Sequence, residues 1–309
     1  MNKRELMLEL AAGRAPAGYT PAAFFLHFGP EYHVGQAAID RHLQFFRHTG
    51  MDFVKIQYEQ GMSTHPIASP ADWARAPRLT AEDFAPTLNV VRGLVEVAGR
   101  DALVILTLYS PFMWARHLAG EAVLHEHLRE HPAQAAKGLE ISTENVLTLV
   151  RAAKQAGVDG FYASTQGGEA FRFGGSDIFE RLVKPTDLAV WDELAACRFN
   201  ILHVCDYEGA YDSLAPFLDY PGHIVNCSLE VGDRHMTPRE AAALFGRPFM
   251  GGLERKGILA TGAPADVRRA AQAVLADAPE RFVLAADCTV PGDTSWDNLA
   301  AAIAVAHGN

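Results

Sequence analysis

His203 and Cys205 stand two residues apart at the end of the apolar run Asn200-Ile-Leu-His-Val-Cys205. On an extended strand, residues two apart point to the same side, so an imidazole and a thiol would face one space. Far downstream a second apolar run, Phe282-Val-Leu-Ala-Ala-Asp-Cys288, closes on another thiol. Two thiolates and one imidazole make a soft nitrogen–sulfur set that suits zinc, with Zn–S near 2.3 Å. Three protein ligands with an open fourth position is the pattern of a catalytic zinc. A structural zinc usually draws four ligands from closely spaced pairs, which this chain lacks. Each residue alone has a plainer reading: a buried strand-end cysteine is often a small apolar filler, and a lone buried histidine is more often hydrogen-bonded core. The coincidence of three at strand ends is what points to a metal. Cys197, near the end of a helix, reads as structural, and Cys227 as packing between strand and helix.

For these segments to meet, the chain must supply a scaffold. Continuous apolar runs bounded by turn residues mark strands at 22–28, 52–58, 102–109, 160–165, 200–205, 223–228, 248–253 and 282–288. Helical stretches fall at the start of the chain, at 37–48 and at 86–98. Two more begin near Pro111 and Pro132, the second running over 133–155, and the rest lie at 178–196, 210–218, 238–245, 264–276 and 296–307. The strands are continuous rather than alternating, as in parallel sheets buried on both faces. Such strand–helix pairs predict an α/β fold: a closed (β/α)8 TIM barrel with an N-terminal helical extension, in one domain over 1–309. A doubly wound sheet is the rival, but no Gly-x-Gly-x-x-Gly turn supports it.

In a barrel the chemistry sits at the C-terminal ends of the strands. Those ends carry His27, Tyr58, Glu59, Tyr109, Thr165, Gln166, His203, Cys205, Asn226, Ser228, Glu254 and Cys288. The stretch 64–80, with prolines at 66, 70 and 77, is long enough to be an active-site loop. His33, His65 and His117 carry no spacing signal.

Composition excludes several classes. Twenty-seven basic against 37 acidic residues give a net charge of −10, and no basic run is present. That argues against nucleic acid and anionic membranes as partners. No run reaches the length of a membrane helix, and the charged start has no secretory core. With four cysteines in 309 residues, a reducing, cytoplasmic location is expected.

The segments Ile201-Leu-His-Val-Cys205, Phe249-Met-Gly-Gly-Leu-Glu254 and Ala286-Asp-Cys-Thr-Val-Pro291, followed by Asp297-Asn298-Leu299, resemble the uroporphyrinogen decarboxylase superfamily. Within it they are most similar to the zinc-dependent corrinoid:thiol (coenzyme M-type) methyltransferases. The resemblance covers nearly the whole chain and implies a (β/α)8 barrel holding one Zn2+ through His203, Cys205 and Cys288. It further implies methyl transfer between a methylated corrinoid and a small thiol. No Asp-x-His-x-x-Gly signature is present, so the corrinoid is expected on a separate protein. Glu59, Gln166 and Glu254 are candidates for a fourth, displaceable oxygen or for orienting substrate. Asp287 is expected to orient its neighbouring ligand. The decarboxylase branch carries an arginine-rich first-strand segment. Here Leu26-His-Phe-Gly-Pro-Glu31 stands in its place, with no arginine between Arg14 and Arg41. A metal-free decarboxylase and a non-catalytic, zinc-holding binding subunit are the alternatives.

Overall fold

The computed structural model of the chain describes residues 2–15, 18–61 and 67–308. Nine strands occur among the described residues: β1 Phe53–Lys55, β2 Leu103–Tyr109, β3 Gly160–Thr165, β4 Ile201–Val204, β5 Ile224–Cys227, β6 Glu230–Val231, β7 Arg234–His235, β8 Phe249–Leu253 and β9 Phe282–Ala286. The helices are α1 Lys3–Ala11, α2 Gly35–Thr49, α3 Ala85–Ala98, α4 Pro111–Ala119, α5 Glu121–Glu130, α6 Pro132–Gln155, α7 Lys184–Leu194, α8 Pro238–Phe245, α9 Ile258–Thr261, α10 Pro264–Ala276 and α11 Trp296–Ala306. Seven strands form one parallel sheet in the order β1-β2-β3-β4-β5-β8-β9, while β6 and β7 make a small antiparallel hairpin. Register fixes the site: His203 pairs with Ser164 on one side and Asn226 on the other.

The sheet curls, but it is not the closed eight-stranded ladder expected. The run at 22–28 lies between β9 and β1 and meets β9 and the segment after it through isolated bridges, Ala22 with Leu284 and Leu26 with Val290. Toward β1 it keeps two backbone bonds, from the Asp52 N–H to the Ala22 carbonyl and from the Phe28 N–H to the Gln57 carbonyl, both at 3.0 Å, while side chains take two other positions. Asp52 accepts from the Ala22 N–H at 2.7 Å, and Gln57 accepts from the Leu26 N–H at 3.2 Å. Each N–H so capped is lost to a strand ladder, which is why a buried apolar run here does not become a regular strand.

Three helices also differ from expectation for local reasons. The helix expected at 210–218 is a single 3-10 turn, Ala215–Phe217, with Pro216 in it. The helix at 178–196 is split into a π turn, Phe179–Val183, and α7, because Pro185 offers no N–H to the turn before it. A glycine at φ +78, Gly120, separates α4 from α5. Of the expected loop at 64–80, residues 64–66, including His65 and Pro66, lie outside the described residues. The remainder packs on α5 and α6: Trp73 is fully buried and donates from Nε1 to His127 Nδ1 at 3.0 Å.

Aromatic rings fill the interior. Phe25 packs on Phe53 and Tyr162 at centroid distances of 5.8 and 5.2 Å, and Phe53 on Phe199 at 5.4 Å. These layers form a solid floor, so the mouth at the strand ends is where a ligand can enter.

Candidate metal centre

Above that floor, Tyr162 on β3 stacks on the His203 ring at 4.8 Å. Its hydroxyl donates to Asn226 Oδ1 at 2.5 Å, and Asn226 in turn donates to the carbonyls of Met250 and Ala286. A side chain on β5 thus ties β3, β8 and β9 together beside its strand partner His203, whose own buried Nδ1 has no hydrogen-bond partner.

His203, Cys205 and Cys288 bring one ligand atom each to within 4.8 Å of one another, the one such group among the described residues. Cys288 Sγ lies 3.3 Å from His203 Nε2 and 4.0 Å from Cys205 Sγ. A tetrahedral zinc with bonds of 2.0–2.3 Å holds its ligand atoms about 3.6 Å apart, so these spacings suit such an ion after small shifts. All three residues are at least 95 % buried. The Cys205 sulfur and then burial push the Cys288 thiol well above its ordinary range. Two thiols packed this way ionise together only beside a cation, which is the chemistry the donor set fits.

The residues next to the thiols are clamped. Arg255 Nη1 reaches Asp206 Oδ1 at 2.7 Å and Asp287 Oδ2 at 3.1 Å. Asp287 Oδ1 also accepts from the backbone N–H groups of Arg255 and Cys288, at 2.8 and 3.0 Å. Asp287 thus holds the backbone of Cys288 and of Arg255. Arg255, which joins the residue after Cys205 to the residue before Cys288, carries no signal in sequence because both partners are distant.

The three ligand atoms open onto a cavity of about 300 Å³. His27, Glu59, Tyr109 and Gln166 line it, as the strand-end reading expects. Gln166 donates from Nε2 to Cys205 Sγ at 3.5 Å, while its buried Oε1 has no partner. Glu59 lies 2.9 Å from His27 Nε2. Burial alone would raise the Glu59 pKa, but the His27 hydrogen bond and the Lys55 charge outweigh it and hold the carboxyl low. Lys55 is 1 % exposed and its Nζ has no hydrogen-bond partner. It sits over the Phe25 and Tyr162 rings at 4.5 and 4.8 Å. Burial lowers its pKa more than Glu59 and the two thiols raise it.

Other expected mouth residues stand elsewhere. Glu254 is exposed and lines a neighbouring cavity with Ser228, Asp206, Arg255 and Asp287, apart from the metal-ligand group. Thr165 points outward and donates to Asp187 at 2.5 Å. Tyr58 stacks on His33 at 4.3 Å, behind the cavity. Sequence reasoning missed Arg116 and His117, which α4 delivers to the cavity wall, and Tyr207 and Glu208 after β4. Arg116 is paired with Glu208 at 2.9 Å. The N-cap of α4 was the available signal: Ser110 accepts from Met113 N–H, and Pro111 sets the first turn, so 113, 116 and 117 share one face.

Comparison with known proteins agrees with this fold. The structure of a methyltransferase from Methanosarcina mazei superposes with a TM-score of 0.80 at 15% identity, covering 99% of this chain and 98% of that one. A B12-independent methionine synthase from Shewanella sp. W3-18-1, in complex with selenomethionine, gives 0.55 at 15% identity, with 94% of each chain covered. At such identities the likeness is one of fold. No curated protein matches. The family model for uroporphyrinogen decarboxylase (URO-D) matches residues 45–308, and the chain belongs to that family.

Proposed function

We propose that the protein is a zinc-dependent methyltransferase moving a methyl group between a corrinoid carried by a separate protein and a small thiol. The observation that carries this reading is the convergence of one imidazole nitrogen and two sulfurs on the wall of a cavity. Zinc held by His203, Cys205 and Cys288 would lower the pKa of a thiol at its open position, leaving a thiolate near neutral pH. Gln166 donates to the Cys205 sulfur and Asp287 to no one, accepting instead from the Cys288 N–H, so both ligands are held in place. The two superposed structures, those of a methyltransferase and a methionine synthase, support methyl transfer.

Decarboxylation of a polycarboxylated tetrapyrrole suits the cavity poorly. Among the described residues Arg116 is the one arginine on its wall, and Glu208 already holds it. The test is incubation of the zinc-loaded protein with methylcobalamin and a panel of small thiols. The reading expects a methyl thioether whose yield falls with zinc removal and in Cys288→Ala. Failure of every thiol to be methylated by fully loaded protein overturns it.

A further inference from the structure

A thiol that enters this cavity brings a proton, and a sulfur nucleophile forms only when that proton leaves. Most polar groups on the wall are poor acceptors. Burial raises the phenol pKa values of Tyr109 and Tyr162, so both stay protonated. Burial and the neighbouring Arg116 charge lower the His117 pKa. Glu208 is in its ion pair with Arg116, and His203, Cys205 and Cys288 are the ligands. Glu59 remains. Its side chain is 9 % exposed, it faces the same cavity, and its carboxylate is hydrogen-bonded to His27 Nε2 at 2.9 Å. His27 is 44 % exposed, so the pair runs from the cavity to solvent.

We infer that Glu59 accepts the proton of the substrate thiol and that His27 carries it to water. The inference rests on the thiol-activating function proposed above. The S–H bond breaks and an O–H bond forms on Glu59. In the resting pair neutral His27 donates Nε2–H to the ionised carboxylate. Once Glu59 is protonated, solvent exchange at the exposed ring gives the Nδ1–H tautomer, whose Nε2 takes the proton from the carboxyl while Nδ1–H releases one to water, returning the resting Nε2–H form. Lys55, buried without a hydrogen-bond partner and attracted to the Glu59 charge, keeps Glu59 ionised between turnovers. Glu59 touches the substrate and is catalytic; His27 acts through it. The strand-end reading put both at one mouth but did not pair them, because the segment at 22–28 and the residues after β1 become neighbours only in the fold.

The experiment uses the full chain loaded with Co2+ and mixed with 2-mercaptoethanol in a stopped-flow spectrophotometer, reading the thiolate-to-cobalt absorption band. In His27→Gln, whose amide still bonds Glu59, the band should reach the wild-type amplitude while its rate falls roughly 10²-fold, the scale of a lost proton-transfer group. Added imidazole should restore the rate in His27→Gln and leave Glu59→Gln slow. An unchanged rate in His27→Gln overturns the inference, and so does a slow rate that imidazole does not rescue. A wild-type protein that binds cobalt but gives no band with the thiol overturns the underlying function instead.

Discussion

Asp187 is a carboxyl kept from water with hydroxyls for company and no cation. It accepts from Thr165 Oγ1 at 2.5 Å and from the Tyr220 hydroxyl at 3.0 Å, and its other oxygen is unpartnered. Burial outweighs both hydrogen bonds and pushes its pKa from 3.8 up to about 7. Between those two values the native protein holds a proton that the unfolded chain has lost, so stability falls as pH rises across that window. The slope is at most about 1.4 kcal/mol per pH unit. Asp187→Asn keeps the acceptor and removes the titration. Denaturant unfolding at pH 5 and pH 8 should therefore show the wild type losing stability relative to the variant, and parallel behaviour would refute the assignment. At this scale the grouping of His203, Cys205 and Cys288 was legible because imidazole and thiol are rare and each closes an apolar run. Asp187, Lys55 and Arg116 were not, since a charge on a strand or helix reads as solvent-facing until the fold encloses it.

The elements that carry the ligands are held by charge as much as by the sheet. Arg255, just past β8, bridges Asp206 beyond β4 and Asp287 beyond β9. Arg255→Gln touches no metal ligand, yet it leaves two carboxylates facing each other and relaxes the loops bearing Cys205 and Cys288. Metal affinity should drop about 10- to 100-fold, the usual cost of losing an outer-shell support. Competition against a chromogenic chelator measures it, and an unaltered affinity would show the clamp to be incidental. Strand ends were readable to within a residue or two at β2, β3, β4, β5, β8 and β9, because an apolar run stops where side chains meet the mouth. Helix breaks were less so. Pro185 and Gly120 act through backbone geometry at single positions inside otherwise helical patterns.

For the whole molecule, the eighth position of the ring depends on Asp52. This fully buried carboxylate accepts from the Ala22 N–H and the Tyr19 hydroxyl, meets His307 at 2.9 Å after α11, and faces Lys3 of α1 at 3.5 Å. Burial alone would raise its pKa, but His307, Lys3 and Tyr19 outweigh that and lower it. Its contribution is therefore present above the unfolded carboxylate range and lost as pH falls through the lowered folded value. Asp52→Ala orphans these partners and should cost about 3–5 kcal/mol in denaturant unfolding; a loss under 1 kcal/mol would mean the ring closes without it. The α/β class and the parallel strand order were legible from run lengths, whereas the irregular run at 22–28 was not, because an apolar run looks the same whether ladder carbonyls or the Asp52 and Gln57 side chains take the Ala22 and Leu26 N–H groups. No helix among the described residues is long and apolar enough to cross a membrane. The curled sheet brings the ends of β4 and β9 to one cavity, and metal content tests the proposed site there most directly. Elemental analysis of purified wild type, after dialysis against metal-free buffer, should find about one zinc per chain, with most of it lost in Cys288→Ala and in His203→Ala. Wild type without zinc, or variants that keep the full amount, would contradict the account.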